Sequence, residues 1–187
     1  MTQQTTTETG SSSNQWDIDA SHTGAHFSVR HMMVSNVRGE IHVSSGSLTY
    51  DPAKPEAAKL EVTLDVKSID TREAKRDEHL KSADFFDAEK FPAITFKSKS
   101  VKKDGKKLDV TGDLTIHGVS KEVVLHVDEL HGPAKDPWGG TRIGATGTTK
   151  INRKEFGLGW NVALETGGIL VGEDINITLE AEFTQKK

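Results

Sequence analysis

The chain has 187 residues, no cysteine and a formal net charge of −4 with histidine neutral. That length suits one domain with a core large enough to fold without covalent staples. The missing cysteines exclude a disulfide framework, a Cys-rich zinc site and a thiol nucleophile. The mildly acidic balance lacks the basic footprint of a nucleic-acid binder and the polybasic patch that anionic lipid surfaces attract.

Residues 1–14, MTQQTTTETGSSSN, are polar and have nothing to bury, so they are expected to form a disordered tail ahead of a domain over 15–187. They carry neither a positive start nor an apolar stretch and do not read as a secretory signal. With Met1 as the natural start, the expected location is the cytoplasm. No apolar run approaches the roughly 20 residues of a membrane helix, so no stable membrane insertion is expected.

From there the chain alternates with period two, the mark of half-buried strands. Phe27 and Val29 share one face, as do Ile41 and Val43. Over residues 59–67 every even position is apolar (Leu60, Val62, Leu64, Val66) and every odd one polar. Residues 70–81 break the rhythm. They hold strong helix formers, Asp70 stands where it can cap a first turn with Glu73 three residues on, and nearly every side chain is polar. This predicts one short surface helix near residues 71–82. Ser82 to Phe86 then brings Phe85 and Phe86 back toward the core, and Pro92 opens the next strand. Alternation resumes at Ile94 and Phe96. It continues over residues 107–116, through Val123, Leu125 and Val127, through Ile143 and Ala145, and over residues 174–183, where Ile175, Ile177 and Leu179 share a face.

Turn signals fall between these runs: Asp51-Pro52 with Pro55, Asp104-Gly105, His117-Gly118, Gly132-Pro133, Trp138-Gly139-Gly140 and Gly167-Gly168. Strands that bury one face and wet the other pair antiparallel. Eight or nine long strands with one helix leave a sandwich or a closed barrel. Their length favours an all-β, eight-stranded antiparallel barrel, because closure removes exposed edges. Such a barrel is either filled by its own side chains or holds one small ligand. Several inward positions are small: Gly112, Ala145, Gly147, Ala181, Ser98 and Ser100. They are read either as a missing layer of side chains, hence an apolar cavity, or as strand glycines at bends and bulges.

Metal and catalytic motifs are weak. His22 and His26 are four residues apart along a strand, roughly 13 Å, too far for one ion. His126 and His131 are separated by a strand end. The glycines of residues 167–172 do not open a helix and form no phosphate cradle. An enzyme would have to use His79 with Asp77 or Glu78 as acid and base, and neighbouring helix residues point apart. No catalytic residue, metal or cofactor is expected.

Seven ordered motifs resemble the YceI-like family across residues 16–184. They are Trp16-Asp17-Ile18-Asp19 with Ser21-His22 and Phe27-Ser28-Val29-Arg30-His31; Ser68-Ile69-Asp70-Thr71; Arg76-Asp77-Glu78-His79-Leu80; Asp84-Phe85-Phe86-Asp87; Phe91-Pro92-Ala93-Ile94-Thr95-Phe96; Gly112-Asp113-Leu114-Thr115-Ile116-His117-Gly118; and Ile151-Asn152-Arg153-Lys154-Glu155-Phe156-Gly157. The resemblance implies an extended lipocalin-like barrel whose inner tunnel binds a long apolar molecule, a polyisoprenoid, an isoprenoid quinone or a similar lipid. It also implies frequent homodimers and no cofactor. Many members are periplasmic and carry a signal peptide; this chain departs there and resembles a cytoplasmic branch.

The tunnel wall implied by this resemblance and the inward faces comprises Phe27, Val29, Ile41, Val43, Leu60, Val62, Leu64, Ile94, Phe96, Leu114, Ile116, Ile143, Ile175 and Ile177. Arg76 and His79 on the helix are candidate head-group contacts. Phe85, Phe86 and Trp160 are candidates to plug or line an opening.

Overall fold

The computed structural model of the chain describes residues 14–165 and 167–186. The tail expected over residues 1–14 therefore lies outside the described residues, Asn14 excepted. Ten strand segments and one α-helix follow in order: β1 Gln15–Ile18, β2 Gly24–His31, β3 Ser35–Ile41, β4 Val43–Thr49, β5 Lys59–Asp65, α1 Ala74–Lys81, β6 Ala93–Asp104, β7 Lys107–Ile116, β8 Val119–Lys135, β9 Thr141–Asn152 and β10 Val171–Gln185.

All pairings are antiparallel and the sheet closes on itself. The ring runs β1-β4-β5-β6-β7-β8-β9-β10 and returns to β1, eight strands in all. The two further segments are continuations. β10 pairs with β1 at Ile18↔Phe183 and with β2 from Gly24↔Glu180 onward, so β1 and β2 act as one interrupted strand. β3 and β4 likewise meet at His42, with β3 on β2 and β4 on β1.

The first interruption has a local cause. The Asp19 carboxylate accepts from the Ser21 backbone N–H at 3.1 Å and from the Ser21 hydroxyl at 2.6 Å, winding Ala20–His22 into a 3-10 turn. The barrel takes up the loop because Asp19 N–H still donates to the Glu182 carbonyl and Glu182 N–H to the Thr23 hydroxyl. At the second interruption, His42 N–H donates to Ser68 Oγ at 2.8 Å rather than to a neighbouring strand.

The helix is shorter than expected and capped differently. Glu73, not Asp70, caps it by accepting from Lys75 N–H, while Asp70 closes a turn onto Arg72 N–H. Gly132-Pro133 is also not an inter-strand turn. It lies within β8, where the register with β9 shifts between His131 and Ala134. Ser100 does not share the inward face of Ser98, because a bulge between them reverses the alternation and buries Val101 instead.

An Arg142 clasp ties the β1–β2 interruption to the β8–β9 turn. Its guanidinium pairs with Asp19 at 2.8 Å, with Asp136 at 3.0 Å and with Glu182. The Ser21 hydroxyl and Arg142 hold the Asp19 carboxyl well below the usual carboxylate range. A depressed folded-state pKa stabilises above the unfolded-state value of about 4 and ceases to do so as pH falls through the folded one. Asp19→Asn is expected to lower Tm by about 2–4 °C at neutral pH, for a loss of about 1 kcal/mol. The difference from the wild type should shrink steadily below about pH 4 in a pH series of thermal melts.

Candidate functional site

The barrel interior has two unlike halves. Around Trp16, Ile143 and Phe183, all at most 3% exposed, the inner faces of β1, β4 and β7 to β10 pack together with Leu48, Leu108 and Val127. Toward α1 the interior is hollow. A cavity of about 170 Å³ is lined by residues from β2, β3, β5 to β10 and the α1 segment. Native interiors hold few voids larger than one water, and this volume is roughly ten times what one water needs.

The wall is almost entirely carbon. Phe27, Val29, Ile41, Val62, Leu64, Ile94, Phe96, Leu114, Ile116, Ile175 and Ile177 line it, as do Phe85 and Phe86 from the segment after the helix. Six residues singled out from the sequence do not. Leu60 and Ile143 belong to the packed core, as does Val43 at 4% exposure. Arg76, His79 and Trp160 stand outside the lining.

Arg76 folds back on its own segment. Its Nε donates to the Thr71 hydroxyl at 2.7 Å and its Nη2 to the Thr71 carbonyl at 2.8 Å. Asp77, itself buried, accepts from Thr71 N–H and from its hydroxyl. His79 pairs with Asp84 at 2.8 Å and packs its ring edge-on against Phe85 and Trp160, with centroids 5.2 and 4.8 Å apart. Asp77 and His79 thus have separate partners and form no acid–base pair. Trp160 lies behind the wall, 5.2 Å from the Phe85 ring.

The small inward residues do not mark the void. A Cβ on Gly112 would meet the Phe96 ring at 2.6 Å, and one on Gly147 would meet the Leu125 side chain at 2.9 Å. Large neighbours already lie across both glycines. The void lies instead among the aliphatic and aromatic side chains of the α1 half, which line it without filling it.

Asp19, His22 and Glu182 offer one ligand atom each within 4.8 Å of one another, the arrangement a metal ion could use. Arg142 pairs with both carboxylates, so the cluster reads as an ion-pair network.

Comparisons with known proteins decide the family. A sequence model of the YceI-like domain matches residues 16–183. The chain belongs to the YceI-like family. Protein YceI of Escherichia coli O157:H7 is 39% identical over 171 residues, covering 91% of this chain and 86% of that protein. The YceI protein of Campylobacter jejuni superposes with a TM-score of 0.69 at 38% identity, over 84% of this chain and 90% of the other. Two more distant structures share the fold. Burkholderia cenocepacia BcnA has a TM-score of 0.77 at 24% identity, over 89% and 99% of the two chains. A polyisoprenoid binding domain from Saccharophagus degradans has a TM-score of 0.65 at 15% identity, over 91% and 98%.

Sequence reasoning missed part of this YceI-like cavity. Ala25, Val123, Leu125, Thr149, Ile151 and Leu179 continue the inward alternation and were legible as such; Leu80, Leu158, Val171 and the strand residue His26 were not. The unexpected member is Arg153, which lines the cavity and is 3% exposed. Its signal was present: it continues the odd-numbered inward face of Ile143, Gly147 and Ile151, where a cation is out of place.

Two phenylalanines separate wall from core. Phe156 is 1% exposed and outside the cavity lining; Phe96 borders the void. A side chain that already faces empty space has fewer dispersion contacts to lose. Phe156→Ala is expected to cost about 3–5 kcal/mol and Phe96→Ala about 1–2 kcal/mol less, in denaturant titrations.

Proposed function

We propose that the protein binds a long apolar ligand in the hollow half of the barrel, a polyisoprenoid, an isoprenoid quinone or a similar lipid, and carries, stores or sequesters it without chemical change. The carbon-walled cavity carries this reading. Water fits such a space poorly, since each molecule needs two to four polar partners. A hydrocarbon chain gains about 0.8 kcal/mol for every methylene it removes from water. The preformed barrel loses little freedom on binding, so most of that gain is kept.

A chain too long for the cavity would extend past Leu80, Phe85 and Phe86. That part of the wall is not held by a strand ladder. Among the described residues its backbone pairs with a strand only at Glu40↔Asp70, beside the hydrogen bond from His42 N–H to the Ser68 hydroxyl. The polyisoprenoid class also accords with the description of the Saccharophagus degradans domain that shares the fold.

Organic extracts of the purified full chain should release an apolar molecule visible by mass spectrometry. Val123→Trp, which fills the cavity from β8, should weaken uptake of a fluorescent prenylated probe at least about tenfold while Tm moves by no more than a few degrees. Unchanged uptake with lipid-free extracts would overturn the reading.

A further inference from the structure

The ring of strands is closed, but not along its whole height. β7 and β8 pair without a break from Leu108↔Val127 to Ile116↔Val119, and β9 and β10 from Arg142↔Thr184 to Asn152↔Asp174. Between these two pairs, β8 and β9 separate. Their last partners are His126↔Thr148, and among the described residues no backbone pairing joins residues 119–125 to residues 149–152. A groove of about 690 Å³ opens in the barrel wall along this seam. Val123, Thr149, Ile151 and Ile177 line both the groove and the carbon-walled cavity. Lys121 records the same gap. It follows Leu125 and Val123 in the inward alternation of β8 and stands opposite the buried Leu114, yet it is exposed.

We propose that this seam is the ligand's entrance: the hydrocarbon passes sideways between β8 and β9 into the cavity, with Val123 and Ile151 as the gate. This rests on the apolar-ligand reading and adds the route to its site. Continuing the His126↔Thr148 register by three residues sets Val123 opposite Ile151. Both are aliphatic and border the groove and the cavity alike, so side-chain rotation between staggered rotamers opens the way. Entry between β7 and β8, or between β9 and β10, would first break ladder hydrogen bonds and leave backbone groups unpaired. Along the seam there is no ladder to break. The groove is also suited to a chain arriving from water, with carbon from Phe156 and Ile177 and polar groups from Lys121, His126 and Lys150. Two free strand edges invite the addition of a foreign strand, and lysines on an edge oppose it. Lys121 stands on one edge of the seam and Lys150 on the other, so the gap stays open to a slender ligand while closed to another sheet.

The test bridges the seam in the full chain. The protein has no cysteine, so Val124→Cys combined with Lys150→Cys introduces its only thiols, one on each side of the groove. A cleavable bis-maleimide then joins them. The probe is diphenylhexatriene, which is neutral and fluoresces in an apolar site. Bridging before loading should slow its uptake at least about tenfold, and bridging after loading should slow its release to phosphatidylcholine vesicles by a like factor. Cleaving the bridge should restore both rates, since a gate changes the two together and leaves their ratio, the affinity, in place. Should the double variant not fold, Val123→Ala decides instead: thinning the gate should speed uptake and release alike. Equal rates with the bridge intact and cleaved, slowed uptake with unslowed release, or in the fallback unchanged rates in Val123→Ala, would overturn the entrance and leave the apolar-ligand reading standing. Failure of the wild type to take up the probe would overturn both.

Discussion

Closure of the sheet is the constraint from which the rest follows. β10 is long enough to pair with β1 near its end and with β2 over the remainder, and that shared edge seals the ring. A sealed ring of eight strands has an interior just wide enough for side chains to fill or for one slender ligand. Which outcome prevails is then a matter of reach. In one half Trp16, Ile143 and Phe183 reach far enough and the core is solid. In the other, aliphatic side chains together with Phe27, Phe85, Phe86 and Phe96 line the wall without filling the space between them, and a void remains.

Much of this was legible in the sequence because an inward face has a strict period. Leu60, Val62 and Leu64 face inward as their alternation demands, and so do Ile175 and Ile177. Alternation reports the face but not the level along the axis. That is why Leu60 and Ile143 read as tunnel wall yet belong to the packed half. Small residues misled for a related reason. A glycine on the inner face records how close a neighbour comes, and at Gly112 and Gly147 that neighbour is a large side chain from the adjoining strand. Bulges are equally silent in a single sequence: Ser98 and Ser100 look equivalent until the ladder slips between them.

The helix segment shows how a polar element is attached to an apolar barrel. α1 has no greasy stripe of its own, so hydrogen bonds and its flanks hold it. Thr71 sits between Arg76 and Asp77, donating to the carboxylate and accepting from the guanidinium. Leu80, Phe85 and Phe86 supply the apolar contact, and Trp160 backs Phe85 from outside. Arg76 and His79 looked free to meet a ligand because sequence shows donors without their partners. In the fold both are engaged within or beside their own segment.

The composition of the wall then bears on selectivity. A hydrocarbon surface discriminates weakly, since one methylene more or less changes binding by only about 1–3 kcal/mol. On the proposed function, chain length and branching would be read loosely by such a wall. Strong discrimination requires polar groups that would be left unmatched by the wrong ligand. Thr149, His26 and Arg153 are the polar side chains among the lining residues, and only Arg153 is buried. Arg153, just past the end of β9, turns its guanidinium to the main-chain carbonyls of Leu158, Trp160, Val171 and Gly172 and leaves only its carbon stem at the wall, so it braces the segment that closes this end of the barrel.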